Sequence, residues 1–258
     1  MKKPLRLLLP LAAVAVPMSM ALAPMATAQA DTTEQFGATL NPLNHSTGSG
    51  TLTLSLNGST ATISEHVTGL ATTFMGAPFP HVQHIHIAAK GTCPTPSADK
   101  NNDGVVNTTE GGPSYGAIGT TLSLKGDTSP KAGTNVKIAP GGGSFDYSRT
   151  ITLDSATLDS INKGTAVIVV HGLDPATLSK KAQNEKSDLV PSLPLAATSP
   201  ALCGPLTSMP TSGPATGTGS TAGPENLGLA AVGGGLFALA GGAILLRRRL
   251  DARVETKS

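Results

Sequence analysis

The side chains best suited to chemistry in this sequence are histidines: His45, His66, His81, His84, His86 and His171. In the run Val82 to Ala88 (VQHIHIA) an extended backbone sends alternate side chains to opposite faces, so His84 and His86 share one face and Ile85 and Ile87 the other. With the isoleucine face in the core, both imidazoles project together. His81 falls on the opposite parity and is not expected in that pair. His171 ends a second, very apolar run, Thr165 to His171 (TAVIVVH). If that strand neighbours the first, three imidazoles converge, and three nitrogen ligands suit copper or zinc. The competing reading places His84 and His86 on a solvent-facing strand and makes His171 a hydrogen-bonded strand-end residue. His45 and His66 read as loop and strand-surface residues.

A second constellation uses oxygen. Asp99 to Glu110 (DKNNDGVVNTTE) follows the spacing of a twelve-residue EF-hand loop. Asp99, Asn101 and Asp103 supply short oxygen side chains, Gly104 permits the sharp turn, and Val105 offers its carbonyl. Asn107 and Glu110 complete the set, Glu110 as a bidentate ligand. Calcium is therefore expected here, with extracellular-type affinity on the order of 0.1 to 1 mM. An incoming helix is not expected, because Cys93-Pro94-Thr95-Pro96-Ser97 breaks helices, and Gly111-Gly112-Pro113 is expected to end any outgoing one. The competing reading is a polar turn that matches by chance. Other chemistry is thin: the chain has no glycine-rich phosphate loop and no G-x-S-x-G elbow.

The elements that must position these residues read as strands. Thr51 to Leu56 (TLTLSL) alternates, Asn57-Gly58 is a tight-turn dipeptide, and Thr60 to Val67 (TATISEHV) alternates again, which predicts a hairpin. Phe36 to Leu40, Val82 to Ala88, Thr120 to Leu124, Ser144 to Leu153 and Thr165 to His171 are further strand candidates. Several short strands between Gly/Pro/Asn/Asp-rich connections predict an all-β, antiparallel two-sheet sandwich. Asp154 to Lys163 (DSATLDSINK) is the exception: Asp154 or Ser155 can cap a short helix and Gly164 can end it. Cys93 and Cys203 are the only cysteines. On an exported chain one bridge is the simplest reading, with two free thiols as the alternative.

The ends read as membrane traffic. Residues 1–30 have a basic start, an apolar stretch and Ala28-Gln29-Ala30, the pattern of a cleaved signal peptide. Residues 227–246 form an uncharged, apolar stretch long enough to cross a ~30 Å hydrocarbon core as a helix, followed at once by Arg247, Arg248 and Arg249. That cluster predicts an outside-to-inside orientation with a short basic cytoplasmic tail, residues 247–258. Residues 207–226, built from Thr, Ser, Gly, Pro and Ala, read as a disordered stalk of roughly 25 Å end-to-end distance. One ectodomain, residues 31–206, remains. The layout resembles the tail of Gram-positive surface proteins, though no LPxTG-type motif precedes the span, so retention in the membrane is expected.

Composition agrees with an exported β-protein. Charged residues are 13% and aromatics 3%, with 30 Gly and 20 Pro among 258 residues, which disfavours long packed helices. The net charge of +2 arises from the two basic ends. Between them ten Lys/Arg face fourteen Asp/Glu without a clustered basic face, which excludes a nucleic-acid binder.

Taken in order, His84-Ile85-His86, Gly91-Thr92-Cys93, Val169-Val170-His171-Gly172 and Leu202-Cys203-Gly204 resemble the extracellular copper/zinc superoxide dismutase family and the related CHRD domain. The resemblance covers most of residues 36–204. It implies a Greek-key β-sandwich, a copper site at His84, His86 and His171, and a Cys93–Cys203 disulfide. The sequence departs from the dismutases at Gly111-Gly112-Pro113-Ser114-Tyr115, where the bridging histidine is missing, and at Ser199-Pro200-Ala201-Leu202, where the anion-guiding arginine is missing. Zinc binding in the family's mode is not expected. The implied function is a membrane-tethered copper-binding module with at most weak dismutase-like activity. The alternative is a non-catalytic adhesion or structural module with vestigial histidines, and neither reading names a protein partner.

Overall fold

The computed structural model describes residues 33–210. The expected signal peptide, most of the expected stalk, the membrane span and the basic tail lie outside the described residues. Among the described residues no helix is long and apolar enough to cross a membrane.

The strands are β1 (Glu34–Pro42), β2 (Ser49–Asn57), β3 (Thr60–Thr68), β4 (Thr73–Phe74), β5 (Ala77–Pro78), β6 (Gln83–Ile87), β7 (Ala117–Thr121), β8 (Phe145–Thr152), β9 (Val167–His171), β10 (Pro200–Pro205) and β11 (Thr207–Met209). Short helices α1 (Thr108–Tyr115), α2 (Ser155–Asn162), α3 (Lys180–Asn184) and α4 (Leu195–Thr198) decorate the loops. The expected hairpin is β2–β3: Asn57 pairs with Thr60, and Gly58 at the first loop position takes φ +58°, a conformation that costs a glycine little. Alternation along it buries Leu52, Leu54, Leu56, Ala61, Ile63, Glu65 and Val67, while Thr53, Thr62, Ser64 and His66 on the other face are exposed.

The main sheet is antiparallel and curled, with strand order β7-β6-β9-β10-β1-β2-β3-β8. Its path is continuous because β1 serves both halves. Residues Glu34 to Leu40 pair with β2, while Asn41 and Pro42 pair with β10. Continuing past β10 along the same edge of β1, opposite β2, β11 pairs with Gln35 to Gly37. Curling brings Leu54 and Ile63 of one half into the same core as Ile85, Ile168 and Val170 of the other. Right-handed twist accumulated over many strands permits this closure.

Several boundaries differ from the sequence reading. The strand expected at residues 120–124 runs over Ala117–Thr121; beyond it the Leu122 N–H still bonds Gln83 O at 2.9 Å before the chain turns away. Strands β10 and β11 were not expected, since Pro200 and Pro205 punctuate that segment and Thr207 to Met209 are low in hydrophobicity. Pairing with β9 and β1 overrides that local signal, so the ordered chain continues three residues into the segment read as stalk. The helix α2 is capped by Asp154, which accepts from Thr157 N at 2.8 Å. Cys93 and Cys203 form a disulfide with a Cα–Cα distance of 5.8 Å, tying the loop after β6 to β10.

Candidate metal centre

Strands β6 and β9 are hydrogen-bonded neighbours, with His84 opposite Val169 and His86 opposite Val167. This register puts His84, His86, Val167, Val169 and His171 on one face and Ile85, Ile168 and Val170 on the other. Ile85, Ile168 and Val170 belong to the main core, while Val167 and Val169 pack in a second cluster with Tyr115 and Cys203. The His171 N–H donates to Val82 O at 2.9 Å and brings its ring beside the pair. Ring centroids lie 5.2 Å apart for His84 and His171, 5.4 Å for His84 and His86, and 6.0 Å for His86 and His171. One nitrogen from each ring lies within 4.8 Å of the others.

The remaining nitrogens are held by backbone. His84 Nε2 donates to Gly133 O at 2.9 Å, His86 Nδ1 to Gly116 O at 2.8 Å and His171 Nδ1 to Thr198 O at 2.7 Å. A carbonyl only accepts, so each of these bonds fixes the N–H on that nitrogen and leaves a lone pair on the other. Those others, His84 Nδ1, His86 Nε2 and His171 Nε2, are buried without any hydrogen-bond partner. Leaving a buried polar atom unpaired costs about 1–3 kcal/mol each, so three converging on one point call for a shared partner.

Burial also keeps the rings neutral. It pushes the His86 imidazole down to about 3 and His171 to about 4, and holds His84 well below its usual range, where the neighbouring His171 and His86 add to the effect. Neutral imidazole is the form that binds metal, and no proton has to be displaced at neutral pH. The three carbonyl anchors orient the rings as outer-shell partners do in metal sites. Gly116 takes φ +93°, and a Cβ there would collide with the Ile87 carbonyl, so glycine is needed to aim its carbonyl at His86. The three rings floor a cavity of about 530 Å³ that opens to the surface.

The other histidines stay out of the site. His81 is buried between aromatic rings, reaching His171 O through Nδ1 and Ala71 O through Nε2, each at 2.9 Å. His45 is exposed in a loop, and His66 is exposed on β3, where its Nδ1 lies 2.7 Å from Asp146 Oδ1.

The loop from Asp99 to Glu110 satisfies its own oxygens. Asp99 accepts from Asn102 N and Gly104 N, at 2.8 and 2.9 Å. Asp103 accepts from Val105 N at 2.6 Å and from Asn101 Nδ2 at 2.9 Å, and Asn101 Oδ1 accepts from Asp103 N at 3.1 Å. Glu110 accepts from Lys100 N at 2.7 Å and from Asn107 N at 3.0 Å, while Asn107 accepts from Glu110 N. The reciprocal Asn107–Glu110 pair is a capping box that starts α1. Contrary to the sequence expectation, Gly111-Gly112-Pro113 does not end that helix. The cap and the buried Tyr115, whose hydroxyl donates to Thr108 O at 3.0 Å, carry it through Pro113. A further carboxylate, Glu185, reaches the loop and accepts from Asn101 Nδ2 at 3.1 Å. Among the described residues, the three histidines are the only group of His, Cys, Asp or Glu whose ligand atoms converge; Asp99, Asp103 and Glu110 do not.

Sequence reasoning missed the anchors Gly116, Gly133 and Thr198, since a backbone carbonyl carries no residue signature. It also missed Glu65, which alternation places among Ala61, Ile63 and Val67 on the inward face of β3. Burial pushes the Glu65 carboxyl up to about 8, the Gln83 side chain offsetting only part of this. No protein-family model matches the chain, and no curated protein matches it either.

Proposed function

We propose that His84, His86 and His171 hold one transition-metal ion, and that the ion is copper. The single observation that carries this reading is the convergence of three buried, unpartnered ring nitrogens, each on a ring locked by a backbone carbonyl. The donor set is three neutral imidazoles without thiolate or carboxylate. Divalent first-row ions bind such sites with affinity rising to Cu²⁺, and zinc is the next candidate. Three protein ligands leave a coordination position open, here towards the cavity. Bound copper would supply one-electron redox chemistry; the chain orients the three rings and buries them at the base of the cavity.

The curled sheet is read as a Greek-key sandwich of the dismutase-like or CHRD type, displayed outside the cell and tethered by the span at residues 227–246. The Cys93–Cys203 disulfide supports an oxidising compartment. No charged side chain lines the cavity, so its walls add nothing to a bound ion's own attraction for a small anion such as superoxide. Any dismutase-like activity is therefore slow, and the second reading, which the uncharged lining favours, is a non-catalytic adhesion or structural module with vestigial histidines. Calcium at Asp99, Asn101, Asp103, Val105, Asn107 and Glu110 is a separate proposal that rests on the spacing alone.

The test is metal content per chain by mass spectrometry after exposure of the full chain to copper, zinc and calcium, beside a His84→Ala/His86→Ala double variant. Copper bound to the wild type and lost from the variant supports the site. Superoxide turnover more than about tenfold above free aqueous copper, or ~1.4 kcal/mol in barrier, would instead argue for an evolved enzyme. Calcium retained by a variant lacking the histidines would support the loop, and its absence would remove that part.

A further inference from the structure

The chamber above the three histidines carries information about what approaches the metal. At about 530 Å³ it lies within the roughly 300 to 1,000 Å³ of pockets that take organic ligands. Its walls include Phe74, Phe79, Ile118, Val136, Leu189 and Leu193, and no lysine, arginine, aspartate or glutamate lines it. The mouth is apolar too. Val136 and Leu189 remain 48% and 47% exposed there.

A divalent ion held by three neutral imidazoles brings a positive charge, and no carboxylate lines the wall; Asp188, bonded to Thr109 N and Oγ1, acts on His171 only from outside it. In a low-dielectric setting that charge favours an anion as fourth ligand. A small hydrated anion would meet the charge but leave the apolar chamber filled with poorly bonded water. An uncharged apolar molecule would fill the chamber but leave the charge. A phenol would first have to lose a proton from a group that ionises near 10, whereas a carboxylic acid is already ionised at neutral pH.

We propose that the centre binds an apolar monocarboxylate, with its carboxylate oxygen at the open metal position and its hydrocarbon body in the chamber. This rests on the metal reading above and specifies the ligand class for that site. A cation with the same body is rejected by charge. A carboxylate with no body loses the burial of its hydrocarbon.

The experiment titrates the copper-loaded full chain with hexanoate, acetate and hexylammonium and follows the Cu(II) electron paramagnetic resonance spectrum, which responds to the ligand shell rather than to non-specific partitioning. Hexanoate is expected to change the spectrum at concentrations at least about tenfold below acetate, since four further methylenes are removed from water. Hexylammonium is expected to leave it unchanged. Val136→Glu, at a half-exposed position that tolerates polarity, should erase the hexanoate preference at unchanged copper content, and Val136→Leu should keep it. Equal responses to acetate and hexanoate, or none to hexanoate, overturn the proposal while leaving the metal reading intact. Failure of the wild type to bind copper overturns both.

Discussion

At the scale of single residues, the centre depends as much on what the imidazoles give away as on what they offer. Each ring surrenders one N–H to a carbonyl and so presents the other nitrogen as a lone pair. Gly116→Ala should show this. The substitution forces a side chain into a φ of +93° against the Ile87 carbonyl and so misdirects the carbonyl that holds His86. Copper affinity, followed by competition with a chelator of known strength, should fall about 10- to 100-fold, as it does when outer-shell partners of metal ligands are lost. Glu65 gives a second residue-level prediction. Its folded pKa of about 8 lies above the usual 4.5, so between those values the folded state holds a proton that the unfolded state has released. The contribution of Glu65 to stability should therefore fall as pH rises through that window, by roughly 1.4 kcal/mol per unit, and level off above it. The buried histidines, held below their usual range, contribute the opposite slope up to about pH 6.5, so the check belongs above it: denaturant midpoints measured from pH 7 to 9 should slope downwards in the wild type and flatten in Glu65→Gln.

At the scale of elements, parity was legible and adjacency was not. The pattern HIH places two imidazoles on one face wherever the strand goes, and residue 171 shares its face with Val167 and Val169. Whether that face meets the pair depends on β9 lying beside β6 in the register His86 opposite Val167, a non-local pairing that alternation within either strand leaves open. The β2–β3 hairpin was legible throughout, because its signal is local: alternating residues and a turn glycine. β10 and β11 were hidden because their prolines and polar residues argue locally for loop, while their hydrogen-bond partners lie on β9 and β1. The helix α1 was misread for a related reason, since two glycines and a proline are weak helix formers whose order comes from the Asn107–Glu110 cap and from packing of Tyr115. The disulfide ties the loop after β6 to β10, closing a loop between residues 110 positions apart. Cys93→Ser should lower unfolding stability by up to roughly 4 to 5 kcal/mol in the chain-entropy account, read as a loss of denaturant midpoint relative to the wild type.

At the scale of the whole molecule, the curled sheet gives its two faces different work. One face closes into a core shared by both halves of the sheet. The other, at β6 and β9, presents the histidines to a chamber roofed by segments far apart in sequence, among them Phe74, Val136 and Leu189. Nothing in the local sequence of those segments marks them as neighbours, which is why the pocket emerges only from the folded chain. The chamber they enclose carries no charged side chain, so any attraction for an anion within it has to come from a bound ion. The central claim is that three histidines bind copper, and the most direct measurement is copper per chain in the full-length protein, with nitrogen coordination read from the Cu(II) resonance spectrum. The account predicts about one copper per chain with a signature of three imidazole nitrogens, absent from His84→Ala/His86→Ala. A folded wild type that takes up no copper, or takes up as much after both histidines are removed, would contradict it.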